Sequence, residues 1–264
     1  MRVSQRAALA KLSHMDHIVS MYWDNVDHRV VSAQRRVLEH FDLQIDQCGR
    51  TGVQPGDFLD EFMAGLGEND VALLMDIDCF PLNREIVDQA FTAAREGRLF
   101  GCAQASNHID PDRLFAAPMF LAISRRTWDR LGRPSFRQDE RNDVAQRLND
   151  QALEAGVPVD LLYPWACIVP KWRLGDVALY GIGTFYRGGV FHLFESRRTP
   201  YTFILHEVAD AVLNDREIDH LALIRKALPL YNLERWARRW TRWRKMIPLR
   251  RFLRRLRGGV PHSG

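Results

Sequence analysis

The sequence of 264 residues predicts an α/β fold built on a mostly parallel sheet, and three observations support this prediction. Short apolar runs alternate along the chain with longer stretches in which apolar residues recur at helical spacing. The most apolar run, residues 71–75, is followed at once by acids, as expected where a buried strand ends at the rim of a sheet. Hydrophobic residues make up 46% of the chain and charged residues 27%, which is typical of a globular protein.

Each element follows from a local pattern. Strands are predicted where apolar or alternating residues are bounded by turn formers, at 17–22, 41–45, 71–76, 99–105, 118–123 and 157–163. Helices are predicted where apolar residues share one face between start and stop signals, at 27–40, 57–65, 83–97, 124–131 and 143–155. Residues 177–194 are predicted to be rich in β-structure, with a glycine-broken loop at 181–189 that would lie over a site.

The charge of the chain is divided unevenly along its length. Residues 234–257 contain eleven Lys and Arg and one acid, a net charge of +10, which leaves −6 for the remainder against a total of +4. Trp236, Trp240, Trp243 and Ile247 are spaced by 4, 3 and 4 residues, so this basic segment is amphipathic. We expect it to lie on an anionic membrane surface, with nucleic acid or the rest of the protein as alternative partners.

This division predicts a catalytic domain over residues 1–230 and a basic amphipathic tail over 231–264. No stretch reaches 18 consecutive apolar residues, and the first 14 residues lack the apolar core of a secretory signal. The four cysteines are far apart, which predicts free thiols in a reducing compartment. We therefore expect a cytoplasmic protein that binds peripherally to the inner face of a membrane.

The motif that carries most functional information is the pair of acids Asp76 and Asp78, one residue apart after an apolar strand. Two carboxylates at the end of a strand repel each other unless a cation or hydrogen-bond donors hold them. Their oxygens suit Mg²⁺ or Mn²⁺, which bind phosphate in turn, although a solvated turn or helix cap is the alternative. His192, within the apolar segment 190–194, is either a further ligand or a hydrogen-bonded core histidine.

The strand that ends in Asp76-Ile-Asp78, with the segment Gly-Thr-Phe-Tyr-Arg-Gly-Gly-Val-Phe-His ending at His192, resembles the nucleotide-sugar glycosyltransferases of the GT-A fold. The resemblance covers roughly residues 15–225. It implies a GT-A-like sheet and a Mn²⁺ or Mg²⁺ ion bound to the diphosphate of a nucleotide-sugar. It also implies metal ligands, which would be Asp76, Asp78 and His192.

The resemblance assigns further roles to residues at strand ends. Tyr22 and Asp24, at the end of the first strand, would contact the nucleobase and ribose. Asp46, at the end of the predicted second strand, would bind the base or ribose, and Asp76 would share that function with metal binding. The general base is implied to be an acid of the segment 137–147, either Asp143 or its competitors Asp139 and Glu140. Asp143 as a simple helix cap is the alternative.

The function implied is transfer of a sugar from a nucleotide-diphosphate donor to a hydroxyl of a glycan or a lipid-linked acceptor. Two alternatives of other kinds stay open. A haloacid-dehalogenase-like phosphatase also places two aspartates after a strand, but it requires them at the first strand. A non-enzymatic adaptor for membranes or nucleic acid would use the basic tail and leave the aspartate pair without a role.

Overall fold

The computed structural model describes residues 15–106, 109–197 and 200–236. The chain divides into two compact units, which meet in sequence between Ile218 and Asp219. The described part of the first unit contains the strands β1 Asp16–Trp23, β2 Asp46–Arg50, β3 Val71–Asp76, β4 Cys79–Pro81, β5 Leu99–Ser106, β6 Asp110–Ser124, β7 Val159–Leu162, β8 Pro164–Leu174, β9 Ala178–Tyr186 and β10 Val190–His192. Its helices are α1 His28–His40, α2 Pro55–Gly65, α3 Glu85–Arg95, α4 Arg125–Arg130, α5 Gln146–Glu154 and α6 Thr202–Leu213.

The central sheet has six strands in the order β2-β1-β3-β6-β5-β7. The pairs β1–β2, β1–β3 and β5–β7 are parallel, whereas β6 runs antiparallel to both of its neighbours. A second sheet, in the order β4-β10-β9-β8, is antiparallel. The predicted fold class, a mixed α/β fold with a mostly parallel central sheet, is confirmed. The reversal of β6 follows from its short separation from β5, because three residues are too few for the crossover that a parallel pair would need.

Both faces of the central sheet are covered by helices. Successive side chains of β3 enter two different apolar clusters, with Leu73 in one and Leu74 in the other. The first cluster also contains residues of α1 and α3, and the second contains residues of α2, α4 and α5. This double burial explains why β3 has no polar residue before Asp76.

The strand predicted over 41–45 is wrong. Residues 41–43 instead form the C-terminal cap of α1, in which Leu43 N–H donates to Leu38 O and Asp42 N–H donates to Glu39 O. Asp42 has the left-handed φ of 55° that this cap requires. Leu43 packs in the same cluster as Leu38, so the apolar alternation arises from the cap and β2 begins only at Asp46.

The flexible loop predicted over 181–189 is also wrong. Residues 181–186 are buried within β9, and only a tight turn at 187–189 joins that strand to β10. A Cβ atom at Gly181 would lie 2.5 Å from Val169 O, so this glycine permits close approach of two strands. Gly181 therefore serves strand packing, whereas Gly188 and Gly189, with φ values of 83° and 102°, form the turn.

In the second unit a helix is described over residues 220–236. Most of the predicted amphipathic segment 234–257 lies outside the described residues, and the predicted domain boundary at residue 230 stays a prediction. Across the described part of the chain, no helix has the length and apolarity needed to cross a bilayer. All four cysteines are free thiols, as expected.

Candidate metal centre

Two aspartates and a histidine meet where the two sheets of the first unit join. Asp76 ends β3, and Asp78 occupies the short turn that leads into β4. His192 lies opposite Cys79 in the antiparallel pairing of β10 with β4, which brings its ring beside the turn. His192 Nε2 is 3.1 Å from Asp78 Oδ1 and 3.7 Å from Asp76 Oδ2. One potential ligand atom from each residue lies within 4.8 Å of the other two.

The two carboxylates have different surroundings. The side chain of Asp76 is 53% exposed, whereas that of Asp78 is 12% and that of His192 is 4% exposed. Loss of hydration raises the pKa of Asp76 to about 6, and the negative charges of Asp78 and Asp143 add to this against the opposing charge of His192. Burial also disfavours ionisation of Asp78, but the charge and hydrogen bond of His192 hold the pKa of Asp78 below its usual value.

This arrangement fits a divalent cation. Two carboxylate oxygens and one imidazole nitrogen form a donor set compatible with Mn²⁺, and a cation would remove the repulsion between the two acids. His192 Nε2 faces both carboxylates, whereas Nδ1 is buried and has no hydrogen-bond partner among the described residues. Ligation through Nε2 places the ring proton on Nδ1. The ring is held by packing on Phe194, at 4.0 Å between ring centroids.

The three residues line a cavity of about 300 Å³ at the carboxyl end of β3. Open α/β sheets commonly bind ligands at this edge. Tyr22 and Trp23, at the end of β1, provide an aromatic wall, and the indole N–H of Trp23 donates to Val53 O at 2.8 Å. The cavity therefore combines a polar floor with a flat aromatic side.

Arg197 supplies positive charge to the same cavity. Its guanidinium carbon lies 4.1 Å from the ring centroid of Trp23, and its charge favours ionisation of Asp76. Sequence reasoning missed this residue because an arginine in a polar run has no local signature. Arg187, by contrast, is exposed in the turn after β9 and does not line the cavity.

The residues predicted to contact the nucleoside are placed differently from one another. Tyr22 lines the cavity. Asp24 is exposed in the turn after β1, where its carboxylate accepts a hydrogen bond from Thr51 at 3.4 Å. Asp46 begins β2 rather than ending it, and it pairs with Val19 in the middle of β1. Asp46 therefore lies away from the carboxyl edge that its predicted role required, because the second strand was assigned too early in the sequence.

Two of the three acids predicted as bases, Asp143 and Asp139, differ in their surroundings. Asp143 is half-buried, its Oδ2 accepts a hydrogen bond from Ser106 at 3.3 Å, and its charge raises the pKa of Asp76. Gln146 holds the same loop, since its Oε1 accepts from Asp143 N–H at 2.9 Å. Ser106 Oγ lies 3.0 Å from this Oε1 as well, so its single proton is shared between Gln146 and Asp143. Asp143 does not line the cavity, and it acts on the metal centre through the effect of its charge on the pKa of Asp76.

Asp139 organises a loop. Its carboxylate accepts hydrogen bonds from the backbone of Arg141 and from Asn142, and it forms an ion pair with Arg147. These contacts lower the pKa of Asp139 to about 2. A carboxylate that is so strongly stabilised in its ionised form is a poor proton acceptor.

No protein-family profile matches this chain, and no curated protein is similar to it at a significant level. Among solved structures the chain is similar to a mutant of β-1,4-galactosyltransferase 7 from Drosophila in complex with manganese, UDP-Gal and xylobiose, at 12% identity and a TM-score of 0.36. The alignment covers 55% of this chain and 64% of that chain, so less than two thirds of that protein is spanned. A likeness this distant identifies neither donor nor acceptor, so the chemistry has to be argued from the side chains.

Proposed function

We propose that the chain is a metal-dependent glycosyltransferase that moves a sugar from a nucleotide-diphosphate donor to a hydroxyl of a glycan or a lipid-linked acceptor. The observation that carries this proposal is the convergence of Asp76, Asp78 and His192 in a cavity with an aromatic wall and an arginine. Hard oxygen ligands favour a cation that binds phosphate, and an arginine favours an anionic ligand beside it.

The side chains divide the work of binding the donor. Asp76, Asp78 and His192 would hold Mn²⁺ or Mg²⁺, which when bound neutralises charge on a diphosphate leaving group. Arg197, which lines the same cavity, would donate hydrogen bonds to the same phosphates. Tyr22 offers a flat apolar surface to a nucleobase, beside Trp23, whose indole stacks with Arg197 and is held in place by its bond to Val53.

Asp143 is the residue that we assign to proton transfer. It is close enough to the metal centre for its charge to affect Asp76, yet it is not among the three clustered ligands. A carboxylate in this position would accept the proton of the acceptor hydroxyl as the new bond to the sugar forms. Ser106 and Gln146 would keep its side chain and its backbone in one orientation.

The proposal is tested by thermal unfolding of the full chain with UDP, GDP, CDP or dTDP, each with and without Mn²⁺. A ligand that binds only the folded state raises the unfolding temperature by mass action. We expect one nucleotide to raise it only when Mn²⁺ is present. The effect should be absent from Asp78→Ala and retained in Asp176→Ala, which changes an acid whose side chain is 96% exposed.

A Mn²⁺-dependent effect that persists in Asp78→Ala would contradict the assigned site. If no nucleotide diphosphate has an effect, the donor proposal fails. Sugar transfer itself is then tested with the nucleotide so identified, by release of nucleoside diphosphate from its sugar conjugates in the presence of candidate acceptors.

A further inference from the structure

The turn that carries the two aspartates is bound at both ends by a single side chain. Gln34 projects from α1 into the protein and is fully buried. Its amide nitrogen Nε2 donates one hydrogen bond to Asp76 O at 2.7 Å and another to Cys79 O at 2.8 Å. The amide therefore spans the whole turn between β3 and β4 and uses both of its N–H groups to do so.

A second amide fixes the orientation of the first. Gln47 Nε2 donates to Gln34 Oε1 at 3.0 Å and to Val31 O at 2.9 Å. Rotation of the Gln34 amide by 180° would place its oxygen against two carbonyl groups and its nitrogen against another amide N–H. The network consequently has one satisfied arrangement, which is the condition under which buried polar groups specify geometry.

We propose that Gln34 is a positioning residue for the metal centre, and that Gln47 acts through it by fixing its amide. The inference rests on the proposed function only in requiring that Asp76 and Asp78 bind a cation. Metal sites demand that ligand atoms be held within about 0.5 Å, and residues behind the ligands commonly do this. Here Gln34 gives this support through its hydrogen bonds to the backbone of Asp76 and Cys79. The backbone of this turn sets how far apart the two carboxylates lie.

An apolar side chain in this place would fill the volume without fixing the turn. Burial of an amide costs free energy unless all of its groups are bonded, so packing alone would favour leucine or methionine at position 34. The sequence gives no hint of the role, since a glutamine next to two arginines in a helix is typical of an exposed face.

The test uses the full chain and begins with two substitutions of Gln34 by residues of similar shape. Gln34→Glu keeps the outline of the side chain but removes both N–H donors, and Gln34→Met removes all of its polar groups. Gln47→Met leaves Gln34 in place and removes the bond that orients it. Arg36→Ala is the matched control, because Arg36 is exposed on the same helix and lies outside the network.

Direct binding of Mn²⁺, followed by the electron paramagnetic resonance signal of the free ion, is measured beside the unfolding temperature without metal. We expect both Gln34 variants to bind Mn²⁺ about tenfold or more weakly, with a smaller loss in Gln47→Met and none in Arg36→Ala. If Gln34→Glu fails to fold, Gln47→Met supplies the same comparison, since Gln47 is only half-buried.

A lower unfolding temperature with unchanged Mn²⁺ affinity in the folded variants would overturn the positioning role and leave a purely structural one. That result is distinct from failure of the proposed function. If the unaltered chain binds no Mn²⁺, the metal centre and the positioning role fall together. If the unaltered chain and the Gln34 variants bind it equally, only the positioning role does.

Discussion

At the scale of single residues, the two aspartates of the metal centre are not equivalent. Asp78 is buried and hydrogen-bonded to His192, which favours its ionised form, whereas Asp76 faces the cavity and resists ionisation. A cation therefore meets one carboxylate that is already charged and fixed, and a second that becomes fully charged as the cation neutralises its neighbours. Loss of the Asp78 carboxylate should therefore weaken metal binding more than loss of the Asp76 carboxylate.

We accordingly expect Asp78→Asn to weaken Mn²⁺ binding by at least about 100-fold, more than Asp76→Asn does, since loss of a direct ligand should exceed the 10–100-fold typical of supporting residues. Asparagine keeps the shape of the side chain, so the difference reports charge. Isothermal titration of Mn²⁺ into each variant measures it. Equal losses in the two variants would show that the surroundings of the two carboxylates do not matter.

Asp143 and Asp139, two of the candidate bases, can be separated in the same way. Asp143→Asn should lower kcat by about 10²–10⁴-fold, the usual contribution of a general base, with little change in Mn²⁺ affinity. Asp139→Asn should have a much smaller effect, because its carboxylate is already engaged by Arg147 and the backbone. Steady-state rates of sugar transfer provide the comparison. A larger loss in Asp139→Asn would reverse the assignment.

At the scale of secondary-structure elements, α2 depends on a distant arginine for its C-terminal end. Arg125 is buried, and its Nη1 donates to the carbonyl oxygens of Met63, Ala64 and Leu66 at 3.1, 2.9 and 2.6 Å. The first two carbonyls belong to the last turn of the helix and the third to the residue that follows it, where backbone acceptors lack partners within the helix. Asp129 balances the charge of the arginine at 2.9 Å.

Arg125→Met should therefore destabilise the fold by roughly 2–4 kcal/mol, since it leaves buried carbonyl groups without donors. Urea unfolding of the metal-free chain measures this value. Arg126→Met is the control, because Arg126 is exposed and contacts only Asn69 among the described residues. Equal stability of the two variants would mean that water replaces the missing bonds. Mn²⁺ affinity of the folded Arg125→Met protein should be unchanged.

The helices and strands also show how much of the fold could be predicted from the sequence. The bounds of β3 and α3 were predicted to within a few residues. Burial on both faces makes β3 continuously apolar, and burial on one face gives α3 apolar residues at helical spacing. Residues 41–45 were misassigned because a helix cap with a hydrophobic contact imitates the alternation of a strand. Residues 181–189 were misassigned because glycine serves close strand approach as well as loops.

At the scale of the whole molecule, the metal centre depends on contacts distant in sequence. The aspartate pair could be identified locally, because a run of five apolar residues leads directly into two acids one residue apart. His192 stayed one of two alternatives, since only the pairing of β10 with β4 brings it beside Asp78. Gln34 and Arg197 could not be found, because their partners are set by how α1 and the segment after β10 pack on the first unit.

The charge of the whole chain is divided between the basic tail predicted over 231–264 and an acidic remainder. In the second unit the described helix exposes Leu221, Leu228 and Leu233, so apolar surface is present before the basic segment begins, and Trp236 continues it into that segment. A chain with a net charge of +10 over 234–257 and −6 elsewhere should approach an anionic surface by this end.

We expect the full chain to sediment with vesicles that contain phosphatidylserine and much less with neutral vesicles, and to be released as salt is raised. Replacing Trp240 and Trp243 by alanine should weaken binding at every salt concentration, because tryptophan contributes contacts at headgroup depth that salt does not screen. Trp165→Ala, which removes an exposed tryptophan of β8, is the control. Binding that is equal for neutral and anionic vesicles, or unaffected by the double substitution, would leave nucleic acid or the protein itself as the partner of this segment.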